Sequence, residues 1–314
     1  MHGEIRVHSG PGRGSEFRVR LNLPHAGAPE ARTSTRQTTG PLAPIRSFAG
    51  RIVVLAEDNP VNREVAEALL ARYGVTVLVA TNGAEAVETV ARHQCDLVLM
   101  DCQLPEVDGF EAARAIRHKE AAVNHSGAGV LRRLPIVALT ANAMKGDRER
   151  CLAAGMDDYL AKPFSAAQLG DVLERWLAAA QDQPDPAGVD PPGPVQDGLD
   201  YAALENVREA MPGDGDQLLR RVVRRYLDDC PRLIAMMRKA AAAGDTDSLG
   251  RAAHSLKSSS ATVGVTALAA QCRLIETAVR EGRALAWLIE VNKAQAAFDR
   301  AIPPLREEID RVAA

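Results

Sequence analysis

From Arg51 onward, short apolar runs alternate with amphipathic stretches. The runs fall at 52–55, 75–79, 96–100, 134–139 and 159–160, and helical patterns lie near 60–72, 84–92, 109–118, 142–154 and 165–179. Strand-length apolar runs separated by helices predict βαβ units, which build a parallel sheet covered on both faces. Five such units make one doubly wound α/β domain over 51–179. The polar, glycine-containing stretch 119–133 predicts a loop before the fourth strand.

The texture changes beyond this domain. Residues 180–198 hold five prolines and no aromatic residue, the composition of a semi-extended linker. As a flexible coil it would span roughly 25 Å, and fully extended about 60 Å. After 199 every long segment carries a helical pattern: about 200–211, 215–241, 245–261, 265–281 and 284–312. Breakers at Pro212-Gly213, Gly244-Asp245, Gly264 and Gly282 leave short loops, and Pro231 predicts a bend in the second helix. An antiparallel helical bundle over 199–314 follows.

The first 23 residues alternate differently. Ile5 and Val7, then Phe17, Val19, Leu21 and Leu23, repeat with period two around a Gly/Pro/Ser turn from Ser9 to Ser15. That predicts a hairpin over 1–23, followed by a linker at 24–50 rich in Pro, Ala, Thr, Gly and Arg. Gly10-Pro11-Gly12-Arg13-Gly14 is no phosphate-binding loop, because no Lys-Ser/Thr follows and the next element is a strand.

Composition narrows the function classes. The chain has 314 residues, 46% apolar and 25% charged, with a net charge of −3 and 4% aromatics. This balance offers nothing for nucleic acid or an acidic membrane surface. The five cysteines have no Cys-x-x-Cys spacing, as expected of reduced, buried thiols. No apolar run approaches a bilayer span, and the N-terminus lacks a signal-peptide pattern, so a cytoplasmic location is expected.

Two constellations carry chemistry. In a doubly wound sheet, ligands sit beyond the carboxyl ends of the strands. Glu57-Asp58 ends the first strand of the domain, Asp101 the third and Thr140 the fourth, and Lys162 follows the fifth. Three converging carboxylates call for a cation, and Mg²⁺ suits hard oxygen ligands that also meet phosphate. Metal, ammonium and hydroxyl together suit a transferring phosphoryl group. The second constellation is Ala253-His254-Ser255-Leu256-Lys257. His254 and Lys257 share one helix face, apart from the apolar face of Leu249, Ala253, Leu256, Ser260 and Val263. His254 is therefore expected to be exposed, as a nucleophile flanked by small residues and a supporting cation.

The segments Ala56-Glu57-Asp58-Asn59-Pro60-Val61-Asn62, Leu99 to Pro105, Asp108-Gly109, Ala138 to Asn142 and Tyr159 to Pro163 resemble the receiver domain of two-component response regulators. The resemblance implies a flavodoxin-like (βα)5 fold with Asp101 as phosphoacceptor. It implies Mg²⁺ held by Asp58, Asp101 and the Gln103 carbonyl, with Glu57 acting through water. Lys162 would pair with phosphate, Thr140 and Tyr159 would form a switch pair, and Leu104-Pro105 and Gly109 would shape the loop past the acceptor. Ala253 to Gly264 is similar to histidine phosphotransfer (HPt) domains, which are four-helix bundles. That implies phosphohistidine at His254 and support from Lys257. Many members carry Gly where Ser258 stands.

Gly3 to Ser9 with Gly12 to Phe17 resembles the last hairpin of a histidine-kinase ATP-binding domain. The whole chain thus resembles the C-terminal part of a hybrid sensor kinase, whether a truncated gene, a mis-assigned start or a split protein. The expected function is a phosphorelay. An upstream sensor histidine kinase would supply Asp101, then His254, and a downstream response regulator would receive the phosphate. No autonomous kinase activity is expected. One alternative is a fragment of an ATP-dependent hybrid kinase whose catalytic core lies upstream. Another is a receiver that regulates by docking alone.

Overall fold

The computed structural model describes residues 3–10, 14–21, 47–125, 133–140, 145–178 and 199–311. Residues 1–45 form one unit and 46–314 another. The first unit holds an antiparallel hairpin of β1 (Gly3–Gly10) and β2 (Gly14–Leu21). Ile5 pairs with Val19 and Val7 with Phe17. The turn residues 11–13, most of the 24–50 stretch and the proline-rich 180–198 stretch lie outside the described residues.

The second unit begins with a five-stranded parallel sheet. Its strands are β3 (Ile52–Ala56), β4 (Thr76–Ala80), β5 (Leu97–Asp101), β6 (Ile136–Thr140) and β7 (Asp158–Ala161), in the order β4-β3-β5-β6-β7. Helices α1 (Pro60–Arg72), α2 (Gly83–Arg92), α3 (Gly109–His125), α4 (Lys145–Ala153) and α5 (Ala166–Leu177) connect or follow them. The chain reverses direction across the sheet between β3 and β5, so their carboxyl ends define the switch point.

Both sheet faces are buried, which explains why the strands are continuous apolar runs rather than alternating ones. Val53, Leu55, Leu97, Leu99, Val137 and Leu139 face one apolar layer with α1 and α5. Val54, Ala56, Val98, Met100, Ile136 and Ala138 face the other, with residues of α2, α3 and α4. Phe48, inside the stretch expected to be linker, joins the first layer and donates its backbone N–H to the Tyr73 carbonyl at 2.8 Å.

The loop expected at 119–133 is corrected in its first half, because α3 continues to His125. Its polar composition suggested a loop, but those polar groups anchor the next strand. Glu120 Oε1 accepts from the Leu134 N–H and Arg117 donates to the Leu134 carbonyl, each at 2.8 Å. Arg117 also pairs with Glu120 at 2.8 Å and with Asp157 at 2.5 Å.

The rest is helical: α6 (Tyr201–Glu209), α7 (Gly215–Ala243), α8 (Thr246–Thr262), α9 (Thr266–Arg280) and α10 (Trp287–Arg311). α7 to α10 form the four-helix bundle, with α6 packed on α7 and α8. Pro231 lies inside α7, which continues through it. The Gly264 turn has a structural reason: its φ is +74°, and a Cβ there would meet the Asp200 carbonyl oxygen at 2.3 Å. Helix α1 packs on α7 and α8, and the first apolar layer of the sheet is continuous with the bundle core. Among the described residues, no helix is long and apolar enough to cross a membrane.

Candidate functional site

The parallel register sets the carboxylate cluster. Ala56 lies beside Met100, so Glu57 and Asp58 leave β3 next to Asp101 at the end of β5. One oxygen from each of these three acids lies within 4.8 Å of the others. Asn59 then caps α1, accepting from the N–H groups of Val61 and Asn62, with Pro60 at the first helical position. This cap turns the chain sharply enough to hold two acids at the strand end.

Lys162 arrives from β7 and donates to Glu57 Oε2 and Asp101 Oδ2, both at 2.5 Å. All three groups are buried. Burial pushes Glu57 up to about 7 despite the adjacent Lys162 ammonium, and the Asp101 charge adds to the rise. Burial and then Asp101 also raise Asp58, while Lys162 and His254 oppose them. Lys162 is raised: burial alone would lower it, but the Asp101 and Glu57 carboxylates outweigh that effect. The carboxyl oxygens are therefore short of positive charge, and their number and spacing fit a divalent cation.

Hydrogen bonds brace both ends of the loop from Asp101 to Gly109. The Gln103 N–H donates to Asp101 Oδ1 at 3.0 Å, and the Gly109 N–H donates to the Cys102 carbonyl at 3.2 Å. A Cβ on Gly109 would lie 2.0 Å from the Asp101 carbonyl oxygen, so only glycine fits. Thr140 is buried at the end of β6 and lines the same cavity as Asp101. Tyr159 is half-buried on β7, against the apolar layer formed with α2, α3 and α4, outside that cavity's lining.

The cavity, of about 430 Å³, is where the two constellations meet. Its wall includes Asp101, Gln103 and Thr140 from the sheet domain, and His254, Lys257 and Glu276 from the bundle. His254 is 7% exposed, which corrects the expectation of an open surface. Glu276 of α9 bonds its ring, the loop after β5 shares its cavity, and α1 lies against the neighbouring stripe of α8 at Ser255 and Ser258. Periodicity within one domain could not show that another domain covers it.

Glu276 on α9 was missed by sequence reasoning. Its Oε1 contacts His254 Nδ1 at 2.8 Å, and its Oε2 accepts from Lys257 Nζ. Gln103 Nε2 donates to the same carboxylate at 3.2 Å. Burial opposes ionisation of Glu276, but the hydrogen bonds and charges of His254 and Lys257 outweigh it and hold the carboxyl down at about 2. An ionised carboxylate only accepts, so the His254 Nδ1 carries the proton. Nε2 of the neutral ring then carries the lone pair. The only advance signal was the need for an acid beside a buried His–Lys pair, and that need becomes visible only once the pair is known to be buried.

Residues 53–174 match the response regulator receiver domain and residues 221–314 the Hpt domain. The chain is 42% identical over 153 residues to the sensor protein GacS of Pseudomonas syringae pv. syringae, covering 49% of this chain and 16% of that protein. It is 33% identical over 269 residues to the sensor histidine kinase GacS of Pseudomonas protegens, covering 83% of this chain and 28% of that protein. It thus spans less than a third of the length of either relative. A solved structure of the receiver domain of sensor histidine kinase PA1611 from Pseudomonas aeruginosa PAO1, with a magnesium ion in its active-site cleft, is 49% identical. It covers 42% of this chain and 100% of that one, with a TM-score of 0.37. Residues 53–174 thus belong to the response regulator receiver family and residues 221–314 to the Hpt family.

Proposed function

We propose that Asp101 and His254 are the two phosphoryl carriers of a phosphorelay and that the phosphate passes between them inside one chain. The observation that carries this reading is their position in the wall of a single cavity. An Asp101 carboxylate oxygen attacks the phosphorus of an upstream phosphohistidine, and the P–N bond breaks. Nε2 of His254 then attacks the same phosphorus, the P–O bond to Asp101 breaks, and the carboxylate is restored. A downstream response regulator repeats the first step. An acyl phosphate and a phosphohistidine are both high-energy donors, so the chain can also run backward.

Lys162 neutralises charge on the phosphoryl oxygens from the Asp101 side. Glu276 holds His254 in the reactive tautomer, as a positioning residue, and Lys257 keeps Glu276 ionised. Asp58, Asp101 and the Gln103 carbonyl would hold Mg²⁺, with Glu57 reaching it through water. The ion would supply charge neutralisation at the transferring group. Thr140 and Tyr159 would act as the switch pair that responds to phosphate on Asp101. The working parts are a receiver at 51–179 and an Hpt domain at 199–314, acting in the cytoplasm with an upstream sensor kinase and a downstream regulator.

The test is intact mass after incubation with acetyl phosphate and Mg²⁺. Wild type should gain a phosphoryl group and Asp101→Ala none. A base-stable adduct should appear only when His254 is present. Uptake on the receiver of Asp101→Ala would overturn the assignment.

A further inference from the structure

The relay chemistry leaves Asn62 without a role, yet nearly all of its hydrogen-bonding capacity is used. It sits on α1 and is 7% exposed. Its amide nitrogen donates to Glu57 Oε1 at 3.1 Å and to Ser258 Oγ on α8 at 2.9 Å. Its amide oxygen accepts from Thr262 Oγ1 at 2.8 Å. Three residues earlier, Asn59 Nδ2 donates to the Ser255 carbonyl at 3.0 Å. Ser255, Ser258 and Thr262 follow one stripe of α8, beginning next to His254. The two helices therefore meet through a polar ladder at this point, whereas apolar residues fill the bundle core behind it.

Buried polar pairs behave differently from apolar contacts when helices slide. An apolar surface repacks at modest cost, but a buried donor or acceptor left unpaired keeps its full desolvation penalty. Moving α1 one turn along α8 would unpair both ends of the Asn62 amide. A bundle without hydroxyls at the 258 and 262 positions would do the same, which is discrimination by an unsatisfied group. The ladder is also continuous with the chemistry. Glu57 bonds Asn62 through one oxygen and Lys162 through the other, and Lys162 bonds Asp101.

We propose that Asn62, Ser258 and Thr262 are the specificity-determining contact of the receiver–Hpt pair, fixing the register in which Asp101 faces His254. They touch no reacting atom, so they are positioning residues. The proposal rests on the relay reading for its functional meaning.

The test uses the full chain and the variants Ser258→Ala/Thr262→Val, Asn62→Ala, and all three together. Asp101 is loaded with acetyl phosphate and Mg²⁺, and its decay into phosphohistidine is followed by rapid quench. Ser258→Ala/Thr262→Val should load Asp101 at the wild-type rate but pass phosphate about tenfold more slowly. Adding Asn62→Ala should slow that step no further, because its α8 partners are already lost; the Glu57 bond it also removes bears on the loading of Asp101, which is measured separately. Unchanged transfer, or losses that multiply, would overturn the proposal. Hydrogen exchange on the unphosphorylated chain gives a second readout: the hydroxyl-free variant should lose amide protection in α1 and α8 together. If wild type forms no phosphohistidine, the relay reading fails, and the exchange result alone decides the contact. Unchanged protection would then sink it.

Discussion

Glu276 is the residue on which the bundle site turns. It is the shared hydrogen-bond acceptor of His254 and Lys257, and both would be buried without a partner in its absence. Its carboxyl stands at about 2, below an ordinary value of 4.5. A depressed folded-state pKa gives stability that is complete above the unfolded value and is lost as pH falls toward the folded one. Glu276→Gln should therefore cost about 1–3 kcal/mol at pH 7. That gap should narrow as pH falls below 4.5 toward 2, checked by urea unfolding across the acid range. The same geometry predicts that phosphohistidine is the Nε2 isomer, which phosphorus NMR distinguishes. Lys162 gives the matching prediction on the receiver. Lys162→Met leaves Glu57, Asp58 and Asp101 facing one another, so the variant should be destabilised by about 3 kcal/mol in chelator. Mg²⁺ should raise its melting temperature more than that of wild type.

At the scale of elements, strand ends and their loops do the positioning. Gly109 opens α3 directly against the Asp101 backbone. Gly109→Ala must displace one of them, and should lower the melting temperature and slow loading of Asp101 at least tenfold, measured with acetyl phosphate. Most of this level was legible in the chain. Every predicted strand and helix of the sheet domain exists, because unbroken apolar runs between amphipathic stretches have few other solutions. The tail of α3 was not legible. Glu120 and Arg117 look like loop residues until the start of β6 is known to lie beside them.

At the scale of the whole molecule, two domains that read independently share one cavity. If transfer is internal, the rate of phosphate passage from Asp101 to His254 should not change across a hundredfold dilution of protein. A rate proportional to concentration would mean transfer between chains. The outer rim of the contact carries Arg221–Glu64 at 2.8 Å, with Arg225 at 3.6 Å. These arginines are exposed, so Glu64→Ala should change internal transfer less than twofold, in line with rim ion pairs worth under about 1 kcal/mol.

The sequence by itself determined the two folds, the acids at the β3 and β5 ends, Lys162, the Gly109 loop and the histidine helix. These depend on periodicity, strand order and residue type, all of which are local. Tertiary structure alone decided that His254 is covered, that Glu276 completes its site, and that Asn62 joins α1 to α8. Those three facts depend on contacts between residues 22 to 200 positions apart. A local pattern records which face of a helix is polar, but not which surface will lie against it.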